Sequence, residues 1–264
     1  MGRGKKTAQT GFSLLELLMV IAILTVVLGS VMSQINNAQK RFRTEEQTTD
    51  ITQESREFVD QIVRDLHQEG FPSTKMFASG VLNTPETNDR RAAVGLVKFA
   101  YDEIGFEGDV DGDGTVKSVN YKLVPGSGSG ACPCRIARSQ LPKPDATTPY
   151  PQTVVGVSGL NHVVNSGGAN GGATGVAGYT ISGTTPTGAS NDTFYAMYKN
   201  ANLFTAYDAK GTEVAPTDFA TNPTALKSIR TIKINVNLLT PQSDMQSKRR
   251  AALTYAASVK LPLN

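Results

Sequence analysis

The chain contains no tryptophan, and only two cysteines and two histidines among its 264 residues. Two cysteines exclude a disulfide-rich scaffold and a four-cysteine metal site. His67 and His162 lie far from both cysteines, so no zinc site is built locally, and both read as surface or packed residues rather than catalysts. No P-loop, dinucleotide fingerprint or H-E-x-x-H motif occurs, and Gly156-Val157-Ser158-Gly159 misses the G-x-S-x-G spacing of a nucleophile elbow. Nothing in the sequence reads as an enzyme site. Acid is absent from the first ten residues, MGRGKKTAQT, which carry Arg3, Lys5 and Lys6. Without those three cations, Lys+Arg falls from 26 to 23, level with the 23 Asp+Glu. The remaining chain is therefore near neutral and offers no dedicated nucleic-acid surface.

What the sequence does have is one long apolar run. Phe12 to Met32 is 21 residues long, and its only charge is Glu16. A bilayer core about 30 Å thick needs roughly 20 apolar residues in a helix, so the run is long enough to span. The basic residues before it place the N-terminus in the cytoplasm and the rest of the chain on the far side. A secretory signal would instead put a small-residue cleavage site after the run, where Gly29-Ser30-Val31 is a weak match. A carboxylate inside such a span costs roughly 2.5–3.5 kcal/mol at the bilayer centre, which calls for a partner or a function.

The segment G-F-S-L-L-E from Gly11 to Glu16, with its basic leader and apolar continuation to Met32, resembles the prepilin-type cleavage and methylation segment. Type IV pilins and type II secretion pseudopilins share that segment. The resemblance implies that a membrane prepilin peptidase cuts between Gly11 and Phe12 and that the new amine of Phe12 is methylated. It also implies that Glu16, the fifth mature residue, pairs with the Phe12 amine of a neighbouring pilin subunit during filament assembly. The physics agrees, because a buried carboxylate needs a cation and a freshly cut N-terminus supplies one at that depth.

From Ser33 to about Gln68 no proline or glycine interrupts the chain. Phe58, Val59, Ile62, Val63 and Leu66 recur at three- and four-residue spacing, which marks one helix face packed on a globular body. Gly70 followed by Phe71-Pro72 stops the helix. The expected organisation is a leader at 1–11, a transmembrane half-helix at 12–34, an amphipathic half-helix at 35–69 and a β-rich head at 70–264. The fold class is α+β, with a long N-terminal spine, roughly 85 Å at 1.5 Å per residue, on a mostly antiparallel head. Gly95–Tyr101 and Val116–Val124 alternate as paired strands; Ser228–Leu239 and Thr254–Leu263 form the last two, separated by a polar loop at Thr240–Arg250. Between 155 and 192 the composition turns to Gly, Ser, Thr, Ala and Asn and reads as a loop insertion. The aromatic cluster Phe194, Tyr195, Met197 and Tyr198 after it reads as buried structure. The helix end and the closing hairpin also look like minor pilins of the PilW type.

One segment has metal chemistry. Asp109, Asp111 and Asp113, with Gly114 sixth and Thr115 seventh, match the opening of a calcium loop. Asn120 stands at the twelfth place instead of a bidentate Glu, and Glu103 or Glu107 would have to complete the shell. The other reading is a solvated Asp-Gly hairpin turn. Cys132 and Cys134 flank Pro133 and leave three outcomes open: a local disulfide, a bond to another subunit, or free thiols.

Together these features point to a structural subunit of a type IV pilus or related filament, a minor pilin in view of the large, irregular head. The alternatives are a type II secretion pseudopilin of the J-like kind and a membrane-anchored periplasmic enzyme or adhesin. The expected partners are other pilins, the prepilin peptidase and methyltransferase, and the inner membrane before assembly. No cofactor beyond calcium is expected. The expected location is the inner membrane, with the head in the periplasm, and then a cell-surface filament.

Overall fold

The computed structural model describes residues 13–124, 134–143, 158–165, 201–241 and 250–262. Helix α1 runs Leu14–His67. By its contacts the chain divides into two units, Met1–Glu46 and Gln47–Asn264, and α1 passes through the boundary. In the first unit the helix is an apolar rod, its large hydrophobic side chains from Leu14 to Ile35 being 44–79 % exposed.

In the second unit the same helix becomes one-sided. Its buried residues are Ile51, Ser55, Val59, Ile62, Asp65 and Leu66, a stripe at helical spacing. Phe58 and Val63 pack beside it, half-buried against the core. The helix stops as its sequence dictates: Gly70 adopts φ +75°, a left-handed conformation that glycine takes without steric cost.

The rest of this unit is antiparallel sheet. The strands are β1 Leu96–Phe99, β2 Glu103–Gly108, β3 Lys117–Val124, β4 Cys134–Pro142, β5 Ser158–Val163, β6 Phe204–Asp208, β7 Glu213–Val214, β8 Thr217–Asp218, β9 Ile229–Leu239 and β10 Ala252–Lys260. They form one ten-stranded sheet in the order β7-β6-β9-β5-β4-β3-β2-β1-β8, with β10 on β9. Ile232 faces Ala206 of β6 and Val259 of β10, while Leu238 faces Val163 of β5 and Leu253 of β10. One side of β9 is thus shared by β6 and β5, and β10 fills the other. A short helix α2, Pro223–Ser228, leads into β9. Its start is set by Pro223 and by Asn222, whose side chain accepts from the Ala225 N–H at 3.0 Å, a favoured N-terminal arrangement.

Several expectations need correction. The segments around β1 and β3 do not pair with each other, because β2 lies between them. A strand, β5, opens within the stretch read as a loop insertion, and β4 had no counterpart in the expected strands. The last strand begins at Ala252 and ends at Lys260. The cluster Phe194–Tyr198, most of the Gly/Ser/Thr-rich stretch and most of the Thr240–Arg250 loop lie outside the described residues.

Gly108, the last residue of β2, lets the sheet meet the helix end. A Cβ there would collide with the carbonyl oxygen of Gln68, and backbone atoms cannot rotate out of the way. Gly70 N–H donates to Glu107 O at 2.8 Å across the same junction. Gly108→Ala should destabilise the unit by about 1–3 kcal/mol, read as a lower denaturant midpoint at unchanged slope.

Candidate functional site

Glu16 sits in the first turn of α1, where its N–H donates to Ser13 O at 3.0 Å. Among the described residues no cation touches its carboxylate, and the side chains around it are exposed hydrophobics. A continuous apolar stretch of 18 residues in the helix has none of its residues buried. In water such a surface is strongly unfavourable, at about 25 cal/mol per Å² of apolar area. This end of the helix therefore needs lipid or other helices around it. Gly11 and Phe12 lie outside the described residues.

The aspartate segment forms the turn between β2 and β3. Asp109 is buried, and its carboxylate caps the turn by accepting from Asp113 N–H at 3.1 Å and Gly114 N–H at 2.9 Å. Gly112 and Gly114 supply the two positive-φ positions. Asp111 accepts from Lys117 Nζ and from Gln140 Nε2, and Asp113 accepts from Lys117 Nζ at 2.8 Å. Hydrogen bonding to Lys117 holds the carboxyls of Asp111 and Asp113 below their ordinary range, and the same bonds raise the Lys117 ammonium. Thr115 donates its N–H to Asp113 Oδ1 at 2.8 Å. Asn120 is engaged elsewhere, its amide donating to Glu103 Oε1 at 2.9 Å. Glu107, the other suggested shell residue, pairs with Lys143. Among the described residues no group of three Asp, Glu, His or Cys side chains is arranged to hold a metal.

The turn therefore carries its own cation. Calcium at this place would have to displace the Lys117 ammonium from Asp111 and Asp113, and that competition is measurable. Removing the ammonium in Lys117→Met leaves the two carboxylates repelling each other. The variant should then show a larger calcium-minus-chelator melting difference than the parent chain, since a ligand that binds only the folded state stabilises it. No difference in either protein would leave the segment a hairpin turn.

Two buried polar groups were not singled out from the sequence. On the helix, Asp65 Oδ2 accepts from Tyr121 Oη at 2.5 Å and from Arg138 Nε at 2.9 Å, with Arg138 Nη2 at 2.8 Å. Tyr121 and Arg138 stand directly opposite each other on β3 and β4. Burial and the neighbouring Asp65 carboxylate push the Tyr121 phenol far up, so the hydroxyl stays a donor. The second group is the Lys143–Glu107 pair, 2.7 Å apart and fully buried on both sides. Lys143 Nζ also donates to the carbonyls of Thr87 and Ala92, each at 2.8 Å. One signal in the sequence marked the first group: Asp65 interrupts the apolar stripe between Ile62 and Leu66. Cys134 is disulfide-bonded, and the chain's other cysteine, Cys132, lies outside the described residues.

Compared with known protein families, residues 6–32 match the prokaryotic N-terminal methylation motif. No curated protein and no solved structure matches the chain. The N-terminus is therefore a prepilin-type segment like that of type IV pilins and pseudopilins, and among the described residues one helix is long and apolar enough to cross a membrane.

Proposed function

We propose that this chain is a minor pilin. It is made with a cytoplasmic leader, anchored in the inner membrane with its β-rich unit on the periplasmic side, cut between Gly11 and Phe12, and methylated at Phe12. It then joins or primes a type IV pilus or related filament through α1. The observation that carries this reading is a coincidence of place. The methylation motif at residues 6–32 overlies the part of α1 whose apolar side chains have no cover, and Glu16 lies in that helix's first turn. The same exposed surface serves lipid before assembly and neighbouring helices after it. No catalytic role is proposed. A pseudopilin of a type II secretion filament would carry the same segment, and a deletion strain separates the two by losing either surface filaments or secreted enzymes.

The direct test is the mature protein itself. Its N-terminal residue should be a methylated Phe12, read by mass spectrometry; a chain that retains Met1 to Gly11, or is cut after Gly29, would end this proposal. Glu16→Val should then insert and be cut normally, because it removes a charge costly in lipid. Its content in sheared filaments should fall to background at equal expression, since the pairing with a neighbour's Phe12 amine is gone. Unchanged filament content would remove the assembly role from Glu16.

A further inference from the structure

Strand β10 closes one side of β9, and its own outer edge has a fixed chemistry. Thr240 N–H donates to Ala251 O at 2.9 Å, and Leu261 N–H donates to Arg230 O at 2.8 Å. In an antiparallel ladder bonded and non-bonded pairs alternate. The odd-numbered residues from Ala251 to Leu261 therefore turn their N–H and C=O groups toward β9. Ala252, Thr254, Ala256, Ser258 and Lys260 turn theirs outward. Among the described residues no strand pairs with that edge and no backbone hydrogen bond reaches it. Sheets ordinarily blunt such an edge with proline, a bulge, inward charge or short length. β10 has nine residues in unbroken register, with no proline before Pro262 and one charge, Lys260, at its end.

The side chains add two further constraints. Leu253, Tyr255 and Ala257 touch the core yet are only half-buried, so the apolar layer continues past the edge. On the opposite face Lys233 and Lys260 are exposed, and neither β9 nor β10 contains an Asp or Glu. We propose that β10 is a docking edge for an extended segment of another polypeptide. That segment adds as a further strand, with apolar side chains beside Leu253, Tyr255 and Ala257 and acidic ones toward Lys233 and Lys260. Main-chain bonds supply the attachment, and the alternating side chains supply the selectivity. A nucleic acid would meet the lysines, but its phosphates would also meet the row of outward carbonyls. The alternating donors and acceptors fit another backbone. This inference is independent of how the N-terminus is processed.

The test uses the full chain in detergent micelles and four probes. These are a nine-residue peptide alternating Glu and Val, its Lys/Val counterpart, the acidic peptide N-methylated at alternate amides, and a labelled single-stranded DNA oligonucleotide. The acidic peptide should slow hydrogen exchange at the amides of Thr254, Ala256 and Ser258 by about tenfold or more, leaving Leu253 and Tyr255 unchanged. The Lys/Val peptide should bind about tenfold more weakly or worse, and the N-methylated peptide should not bind. Ala256→Pro removes one outward donor without touching the β9 ladder and should weaken the acidic peptide; if it fails to fold, the N-methylated peptide decides. Outer amides as protected as inner ones before any peptide is added would overturn the proposal. So would equal binding of both charged peptides, or DNA binding that protects the same amides.

Discussion

In cells making the Gly11→Val chain, the protein should stay at its uncut mass with Met1 or its successor at the N-terminus, and no methylated Phe12 should be found. The expected effect is all or none. The prepilin likeness implies a peptidase that accepts only a small side chain at the last leader position, so the two methyl groups of valine block the cut. Gly11→Ala, smaller by those methyls' difference, should retain cutting. The apolar helix begins beyond the substitution, so insertion should be unchanged and the uncut chain should accumulate in the membrane fraction. A Gly11→Val chain that matures to Phe12 at the normal rate would mean that residues 6–32 match the methylation motif without being read by its enzyme.

The largest expected loss of stability is at Lys143. Its ammonium and the Glu107 carboxylate have no access to water. Lys143→Met would leave that carboxylate buried without its cation, at a cost of about 3–5 kcal/mol. For a unit of this size the melting temperature should drop by on the order of 10 °C. The double variant Lys143→Met with Glu107→Gln should regain part of the loss, because the neutral amide oxygen still accepts from Val94 N–H, 3.1 Å away in the parent chain. A single variant that melts like the parent would show that water reaches the pair.

These two sites also mark what the sequence made legible. The helix was readable because its signals are local: an apolar run, then a stripe at Val59, Ile62 and Leu66, then Gly70. β9 was readable because Ile232, Ile234, Val236 and Leu238 alternate with Lys233, Asn235 and Asn237. β2 was not. Its Glu103 and Glu107 look like solvent-facing residues, yet both are buried. The partners that make this tolerable, Lys98 and Asn120 for Glu103 and Lys143 for Glu107, come from other strands or beyond them. Burial pushes the Glu103 carboxyl up, and those bonds with the nearby lysines more than reverse it. Hydropathy sees the charge and not the partner. β5 was hidden for a different reason: its Gly159 packs against the Ile136 backbone, where a Cβ would collide with the carbonyl oxygen. A strand chosen for smallness reads as a loop. In the aspartate segment nothing local marks Lys117, which folds back between Asp111 and Asp113.

The position of β9 has a consequence for the order of events during synthesis. Its partners β5 and β6, and the helix face at Val59, Ile62 and Leu66 that shares its core, are all made before it. The core cannot close until residues 229–261 have followed. Until then the strands β1 to β5 can pair with one another, but the outer edge of β5 stands open and β6 lacks its β9 partner. Long-range pairings of this kind form slowly and leave exposed edges prone to wrong partners. The interval between synthesis of β6 and synthesis of β9 is thus the window in which both of these edges are open to wrong partners.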